Sequence, residues 1–311
     1  MKRAAFLKLL GAAGVGSALP VALGGLRPNL LSMNELNAWE SVLPATDRLP
    51  ALFLGHGSPM NAIEDNLFVQ GFKNLAAKLH VTPAAVLCVS AHWETRGTQV
   101  TAMAQPRTIH DFGGFPQALF DVQYPAPGHP ELANALATAE GLGHHVATDH
   151  EWGLDHGTWS VVKHLFPDAD VPVLQLSLDR NMTPAQHYAL AGQLKRLRER
   201  GVLVVGSGNM VHNLRMVDWA RMNDVGHGFD WALEASDAMR GWILEGNHRA
   251  LMEAPASAQR AFQLAIPTAE HYLPLMYVLG MQAPNERVSL FNDNAMAGSL
   301  TMTSVALGLP I

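Results

Sequence analysis

The sequence predicts an α/β fold: one domain on a central, mostly parallel or mixed sheet with helices on both faces. Three observations lead there. Short apolar runs recur at residues 52–54, 84–90, 171–178 and 202–205. They are too short for helices and lack polar alternation, as expected of strands buried on both faces. Segments with helical apolar rhythm and helix punctuation separate them, the order that builds helices over a parallel sheet.

Residues 52–54 form the first strand, stopped by Gly55-His56-Gly57-Ser58-Pro59. Residues 61–80 carry a helical rhythm through Leu67, Phe68, Phe72, Leu75 and Leu79. Residues 84–90 form the next strand and run into Ala91-His92-Trp93-Glu94, and residues 98–103 form a third. Residues 108–128 are rich in glycine, proline and aromatics. A long irregular stretch inside a compact domain marks a binding loop or lid. Pro130 starts a helix, where proline is tolerated. Residues 145–147 make a short strand. Residues 149–159 form a polar, aromatic loop that leads into a helix ending near Phe166. Residues 171–178 are again a strand. Thr183-Pro184 is an N-cap followed by proline at the first helical position, and Gly201 closes that helix. Residues 202–205 are a strand leading to Gly206-Ser207-Gly208-Asn209 and His212. Helices dominate to about Met281, and strands at residues 287–291 and 300–306 end the chain.

The chain has 311 residues, of which 48% are hydrophobic, enough for a large core. No linker interrupts residues 49–311, so one domain is expected there, after an irregular lead-in at residues 26–48. A net charge of −6 without a basic block excludes a nucleic-acid footprint. The single cysteine, Cys88, excludes an internal disulfide and a cysteine-rich metal site; in its apolar run it reads as a small buried hydrophobe. Residues 1–25 place Lys2, Arg3 and Lys8 before a small, glycine-rich apolar stretch. That is the layout of an export signal, too short and glycine-rich to span a membrane stably. Residues 3–8 are similar to a twin-arginine signal with Ala4 in place of the second arginine. An exported location is therefore expected in preference to a cytoplasmic one.

Histidine is the compositional anomaly, with 15 residues against 4 tyrosines. In open α/β sheets, ligands bind beyond the carboxyl ends of the strands. Three apolar runs end in loops carrying His56, His92 and His212. If those strands are parallel neighbours, the imidazoles converge on one rim. His271 is a fourth candidate, in the first turn of a helix that Thr268 would cap. Neutral imidazole suits zinc and iron alike, and a catalytic site keeps positions open for substrate. Any one strand-end histidine has a structural alternative, and no local signature such as H-E-x-x-H is present. Gly206-x-Gly208 lacks the third glycine of a dinucleotide loop, and its serine does not fit a G-x-S-x-G elbow.

Several blocks, taken together, carry a resemblance. They are residues 54–60 (Leu-Gly-His-Gly-Ser-Pro-Met), 90–94 (Ser-Ala-His-Trp-Glu), 110–116 (His-Asp-Phe-Gly-Gly-Phe-Pro) and 124–128 (Tyr-Pro-Ala-Pro-Gly). Residues 155–159 (Asp-His-Gly-Thr-Trp), 206–209 with His212, and 270–274 (Glu-His-Tyr-Leu-Pro) complete the set. In this order they resemble the DOPA 4,5-extradiol dioxygenases, of the class III, LigB type. The likeness covers the chain from about residue 50 to 307.

The resemblance implies a LigB-like fold and one divalent metal per chain. It implies His56, His92 and His271 as ligands, with His212 as a fourth ligand or just outside the metal. The wider superfamily has glutamate as third protein ligand, and Glu270 adjoins His271. Neighbouring helical residues point about 100° apart, so one of the two would face the metal. The resemblance further implies His156 and His212 as catalytic acid/base residues. Asp111, Phe112, Phe115 and Tyr124 would border the substrate. The implied reaction inserts both atoms of O₂ into the ring of a catechol, DOPA-like, beside its hydroxyls. Iron(II) would support turnover, while zinc, the tighter binder to nitrogen and inert in redox, is expected in the protein as found. The partners implied are a small aromatic diol and O₂, acting on a monomer or homodimer. Two rivals stand beside this reading. One is a mononuclear zinc hydrolase with Glu94 or Glu270 as general base. The other is a non-catalytic metal- or ligand-binding protein.

Overall fold

The computed structural model describes residues 42–139 and 142–311. The expected export signal and all of the lead-in before residue 42 lie outside the described residues.

Three apolar runs lie side by side at the centre. They are β1 (Ala51–Gly55), β6 (Val202–Gly208) and, between β1 and β6 in the chain, β2 (Ala85–Thr95). Strand β6 pairs with both others, in parallel, with Ala51 opposite Val204 and Val86 opposite Leu203. Successive side chains point to opposite faces of a strand. Phe53, Leu87 and Val204 accordingly enter one core, and Leu52, Val86 and Leu203 the other. Burial on both faces is why these runs show no polar alternation.

The remaining strands are β3 (Thr98–Thr101), β4 (Val146–Asp149), β5 (Val173–Asp179), β7 (Val288–Phe291), β8 (Ala295–Met296), β9 (Leu300–Thr301) and β10 (Ser304–Leu307). The main sheet has eight strands in the order β4-β3-β5-β2-β6-β1-β10-β7. It is mixed: β10 runs antiparallel to β1 and β7, and β3 antiparallel to β5. The segment expected as one strand at residues 300–306 is split. Strand β9 pairs with β8 in a separate ribbon, and β10 alone joins the sheet.

Helices cover both faces. On one lie α1 (Leu67–Lys78), through Phe68, Phe72 and Leu75, and α4 (His156–Leu165), through Trp159, Val162 and Leu165. Between them in the chain come the short α2 (Gln117–Phe120) and α3 (Pro130–Thr138). The other face carries α3, α5 (Pro184–Leu194), α6 (Asp230–Glu245), α7 (His248–Glu253), α8 (Arg260–Ala265) and α9 (Leu273–Gly280). Thr183 and Gln186 close a capping box on α5, and Gly201, at φ 73°, ends the following 3-10 turn. The helix expected over 61–80 begins at Leu67, where Asn66 accepts from the Phe68 and Val69 amides. No helix among the described residues is long and apolar enough to cross a membrane.

The last lead-in residues are tied to the body. Leu43 is buried, and the Leu49 amide donates to the Arg198 carbonyl at 2.8 Å. The Arg198 guanidinium is buried too. It donates to the carbonyls of Leu49 and Met281, at 2.8 and 2.9 Å, and makes a two-pronged pair with Glu286. Three segments distant in sequence thus meet on one cation. Arg198→Ala is expected to lower stability by about 3–5 kcal/mol, because it strands a buried carboxylate. In thermal unfolding that is a fall of on the order of 10 °C. Burial alone would raise the Glu286 carboxyl, but the Arg198 bonds and the Ala283 amide hold it below the ordinary value. Its contribution is therefore present above the ordinary carboxylate range and is lost as pH falls through the lowered value. Denaturant titrations should show Glu286→Gln less acid-sensitive below about pH 5 than the parent protein.

Candidate metal centre

The pairings of β6 with β1 and β2 end level with one another, Gly55 beside Gly208 and Ser90 beside Ser207, and β2 runs on to Thr95. His56 follows β1 directly. Its amide donates to the Gly208 carbonyl at 3.1 Å, and its own carbonyl accepts from Asn61 Nδ2 at 2.9 Å. Gly57, at φ 60°, lets the chain turn back beneath the ring. His92 lies near the end of β2, where the pairing with β5 shifts register between Val89 and Glu94. Such irregularities re-aim side chains beside active sites.

The third ring arrives from the far side. His271 sits in the turn before α9, not in its first turn, and Thr268 is not the cap. The backbone there lies hard against β6: a Cβ on Gly208 would come within 2.1 Å of the His271 carbonyl oxygen. That carbonyl accepts from the Asn209 amide at 2.9 Å. The glycines of Gly206-Ser207-Gly208 thus serve close backbone approach, the role that neither a dinucleotide loop nor a serine elbow explained.

Two nitrogens 2.0–2.1 Å from one tetrahedral ion stand about 3.3 Å apart, and the centroids of their rings about 5.2 Å apart. Here His56 Nε2 and His92 Nε2 are 3.3 Å apart. The centroids of His56, His92 and His271 are separated by 5.1, 5.3 and 5.0 Å.

The opposite nitrogens each face a polar oxygen. His56 Nδ1 lies 3.0 Å from Ser207 Oγ, whose own proton goes to the Gly157 carbonyl. The hydroxyl must then accept from His56 Nδ1–H, which leaves the Nε2 lone pair free. His271 Nδ1 faces Glu270 Oε1 at 3.2 Å, and His92 Nδ1 faces Asp111 Oδ2 at 3.4 Å. A ring whose outer N–H meets a carboxylate or hydroxyl is the arrangement of a metal-ligating histidine. The two facing Nε2 lone pairs repel unless a cation or a proton lies between them. The donor set therefore fits a divalent ion.

Burial, and then the neighbouring imidazoles, push the His56 and His271 rings far below the ordinary histidine value. Burial and His156 lower His92 to about 3, partly offset by Asp111. All three are neutral at pH 7, the form that ligates.

His156 and His212 complete the rim. Among the described residues, the ligand atoms of His56, His92 and His156 lie within 4.8 Å of one another, as do those of His212, Glu270 and His271. A three-histidine group able to hold a metal is therefore present. The His156 ring lies off the equal spacing, 5.8 Å from His56 but 3.9 Å from His92. It is the first residue of α4, where a loop was expected to continue to residue 159. Asp155 caps that helix, accepting from the Thr158 amide at 3.1 Å. Its buried carboxylate also takes bonds from Ser90 Oγ at 2.7 Å and Gln175 Nε2 at 2.6 Å. His212 stacks on His271, centroids 3.5 Å apart and planes at 7°. Burial lowers His212 to about 4, against the pull of Glu270.

Of the residues expected to border the substrate, Phe112 and Phe115 line the cavity above the histidines. Asp111 lines it too, yet its oxygens are spent on other groups. Oδ1 accepts from the His156 amide at 2.9 Å and lies 3.0 Å from that ring's Nδ1, while Oδ2 faces His92. Asp111 holds two histidines in place. Tyr124 is a correction: it is buried in the core, its hydroxyl donates to the Phe166 carbonyl at 2.9 Å, and it does not reach the cavity. Trp93 and Trp159 are packing residues, both buried. Sequence reasoning missed Ser207, Asp155 and the cavity residues of the 214–222 loop. The one sequence signal for Ser207 was its place between two glycines.

Residues 50–255 match the family described as the catalytic LigB subunit of aromatic ring-opening dioxygenase. The chain is 42% identical over 276 residues to a 4,5-DOPA dioxygenase extradiol of Escherichia coli K12, covering 86% of this chain and 98% of that one. A Beta vulgaris protein of the same name is 33% identical over 266 residues, with 81% and 94% covered. The crystal structure of an uncharacterised Escherichia coli K12 protein superposes with a TM-score of 0.71 at 40% identity, covering 84% of this chain and all of that one. Fold, motif order and relatives agree: the chain belongs to the LigB family and is an extradiol ring-cleaving dioxygenase.

Proposed function

We propose that this protein cleaves the ring of a catechol with O₂, using one divalent metal held by His56, His92 and His271. The observation that supports this most is the near-equal spacing of those rings, each with its Nδ1 engaged outward. The relatives' names support a DOPA-like catechol as the first substrate to try. Iron(II) supplies the redox chemistry and zinc does not, although nitrogen ligands bind zinc more tightly. Glu270 then acts from outside, holding His271 through Nδ1.

The chain's own residues handle substrate and protons. His212 lines the cavity and stacks on His271, which places its ring to accept a hydroxyl proton as the diol binds. His156, placed by Asp111 and by its position at the start of α4, packs beside His92, whereas His212 packs on His271. A proton held on the His156 ring would assist cleavage of the O–O bond, both oxygen atoms staying in the product. Phe112 packs edge-on to His156, centroids 5.5 Å apart, and shields that transfer from water.

Anaerobic loading with iron(II), then a catechol and air, is expected to give O₂ uptake and a yellow product. His56→Ala should abolish both, and no uptake across a catechol panel would overturn the reading. Metal content separates the ligand sets. His271→Ala should weaken metal binding more than about 100-fold, whereas His156→Ala keeps the metal and lowers kcat about 10²–10⁴-fold. The reverse pattern would make His156 the third ligand.

Ser207→Ala frees the outer nitrogen of His56. Metal affinity, measured by competition with a chelator, should fall about 10–100-fold in a folded protein.

A further inference from the structure

The cavity above the histidines, of about 330 Å³, has two kinds of wall. One is fixed. Phe112 packs among Phe115, Phe120 and His156, with ring centroids 5.4, 5.1 and 5.5 Å away. The other is a loop that supplies Leu214, Val217, Trp219 and Met222. Trp219 is 72% exposed, and among the described residues its side chain makes no ring contact and no hydrogen bond. Single exposed hydrophobes are ordinary, but Leu214, Met216, Trp219 and Val225 are all exposed on this one loop at the mouth of one site.

The loop is anchored at two points. The Asp218 amide donates to the Ala297 carbonyl at 2.9 Å, and the Gly226 amide to the Ala295 carbonyl at 2.7 Å. His227 Nε2 lies 2.9 Å from Asp218 Oδ2 and ties the two ends together. Between the anchors the bonds are internal. The Arg221 amide donates to the Asp218 carbonyl, the Asp224 amide to the Arg221 carbonyl, and the Arg221 side chain to the Asp224 carboxylate. Both anchoring carbonyls lie on one short stretch, so they mark an axis about which residues 219–225 can turn as a piece. Gly226, at φ 86° and with open space where a side chain would stand, can absorb the rotation.

There is room for that motion. Trp219 and Met222 border the first cavity. Met222, Asn223 and Val225 border a second, of about 520 Å³, together with Leu67 and Phe68 of α1. A segment with open space on two sides can shift without displacing close-packed atoms.

We propose that residues 219–225 form a flap that folds over the bound substrate, with Trp219 sealing the mouth of the site. The flap rests on the catechol cleavage proposed above. A bound ring gives Trp219 an apolar surface to pack on that an empty cavity lacks, so burial favours closure when the site is filled. Closure keeps water from the proton transfers at His156 and His212. It also holds the two reactants together. A catechol that passes two electrons and two protons to O₂ leaves as a quinone with hydrogen peroxide, its ring uncut, and a sealed mouth disfavours that escape.

Amide hydrogen exchange of the redox-inert zinc(II) form, with and without 4-nitrocatechol, tests the flap; the visible spectrum of this probe reports its own binding. Exchange across residues 219–225 should slow more than about fivefold on binding. Binding with unchanged exchange overturns the flap and leaves the catechol reading intact. No binding overturns the catechol reading, and the flap with it. In the iron(II) form turning over L-DOPA, the ratio of hydrogen peroxide released to O₂ consumed reads the seal. Trp219→Ala, at an exposed position that does not threaten folding, should raise that ratio more than about fivefold, and Trp219→Phe should bring it back near the parent value. A Trp219→Ala enzyme as tightly coupled as the parent overturns Trp219 as the seal. Slowed exchange in the zinc form, with no turnover of any catechol in the iron(II) form, would overturn ring cleavage and uphold the flap.

Discussion

The site depends on one close approach, that of the His271 backbone to the end of β6. The Asn209 amide bonds the His271 carbonyl, and Gly208 has no side chain to keep them apart. Parallel pairing sets His56 and His92 at the ends of β1 and β2, on either side of β6, but one end of a sheet offers only one line of positions. A third ring, facing those two, must come from another part of the chain. The turn before α9 brings it, and α9 is anchored by apolar burial through Leu275, Met276 and Leu279. Hydrophobic packing far from the rim therefore fixes a distance of about 5 Å at the rim.

The second constraint is orientation. An imidazole offers two nitrogens, and a neutral ring protonated on the wrong one cannot ligate. Ser207, Asp111 and Glu270 each engage an Nδ1. Ser207 does this only because its own proton is committed to the Gly157 carbonyl. Since Gly157 lies in the first turn of α4, helix position and ring tautomer are linked. Asp155 strengthens that link, capping α4 while accepting from Ser90 on β2. Helix, strand and rings are tied together by these bonds, which suits a site that must keep its geometry during reaction.

Much of the scaffold was legible in the sequence because its signals are local. Buried runs such as residues 84–90, the Thr183-Pro184 cap and the glycine-flanked His56 each rest on neighbouring residues. The sheet was expected as mostly parallel or mixed, and the structure places β1, β6 and β2 as parallel neighbours, the condition on which convergence rested. What was hidden depends on distant pairs. Residues 300–306 read as one strand because apolar pattern does not reveal which partner each half takes. Tyr124 stood in a motif that borders the site, yet its hydroxyl finds a core carbonyl. Asp111 was expected at the substrate and instead serves two histidines. Leu214 and Trp219 had no signal, since exposed apolar residues in a loop gain meaning only from the cavity beside them.

Electrostatics draws these features together. On the proposed assignment the three ligands are neutral, and the carboxylates stand one residue further out, behind His92 and His271. Neutral ligands leave an ion's charge uncancelled at the open face, where it favours an anionic catecholate over water. A carboxylate at the third position would draw off part of that attraction, so Glu270 is more useful orienting His271 than replacing it.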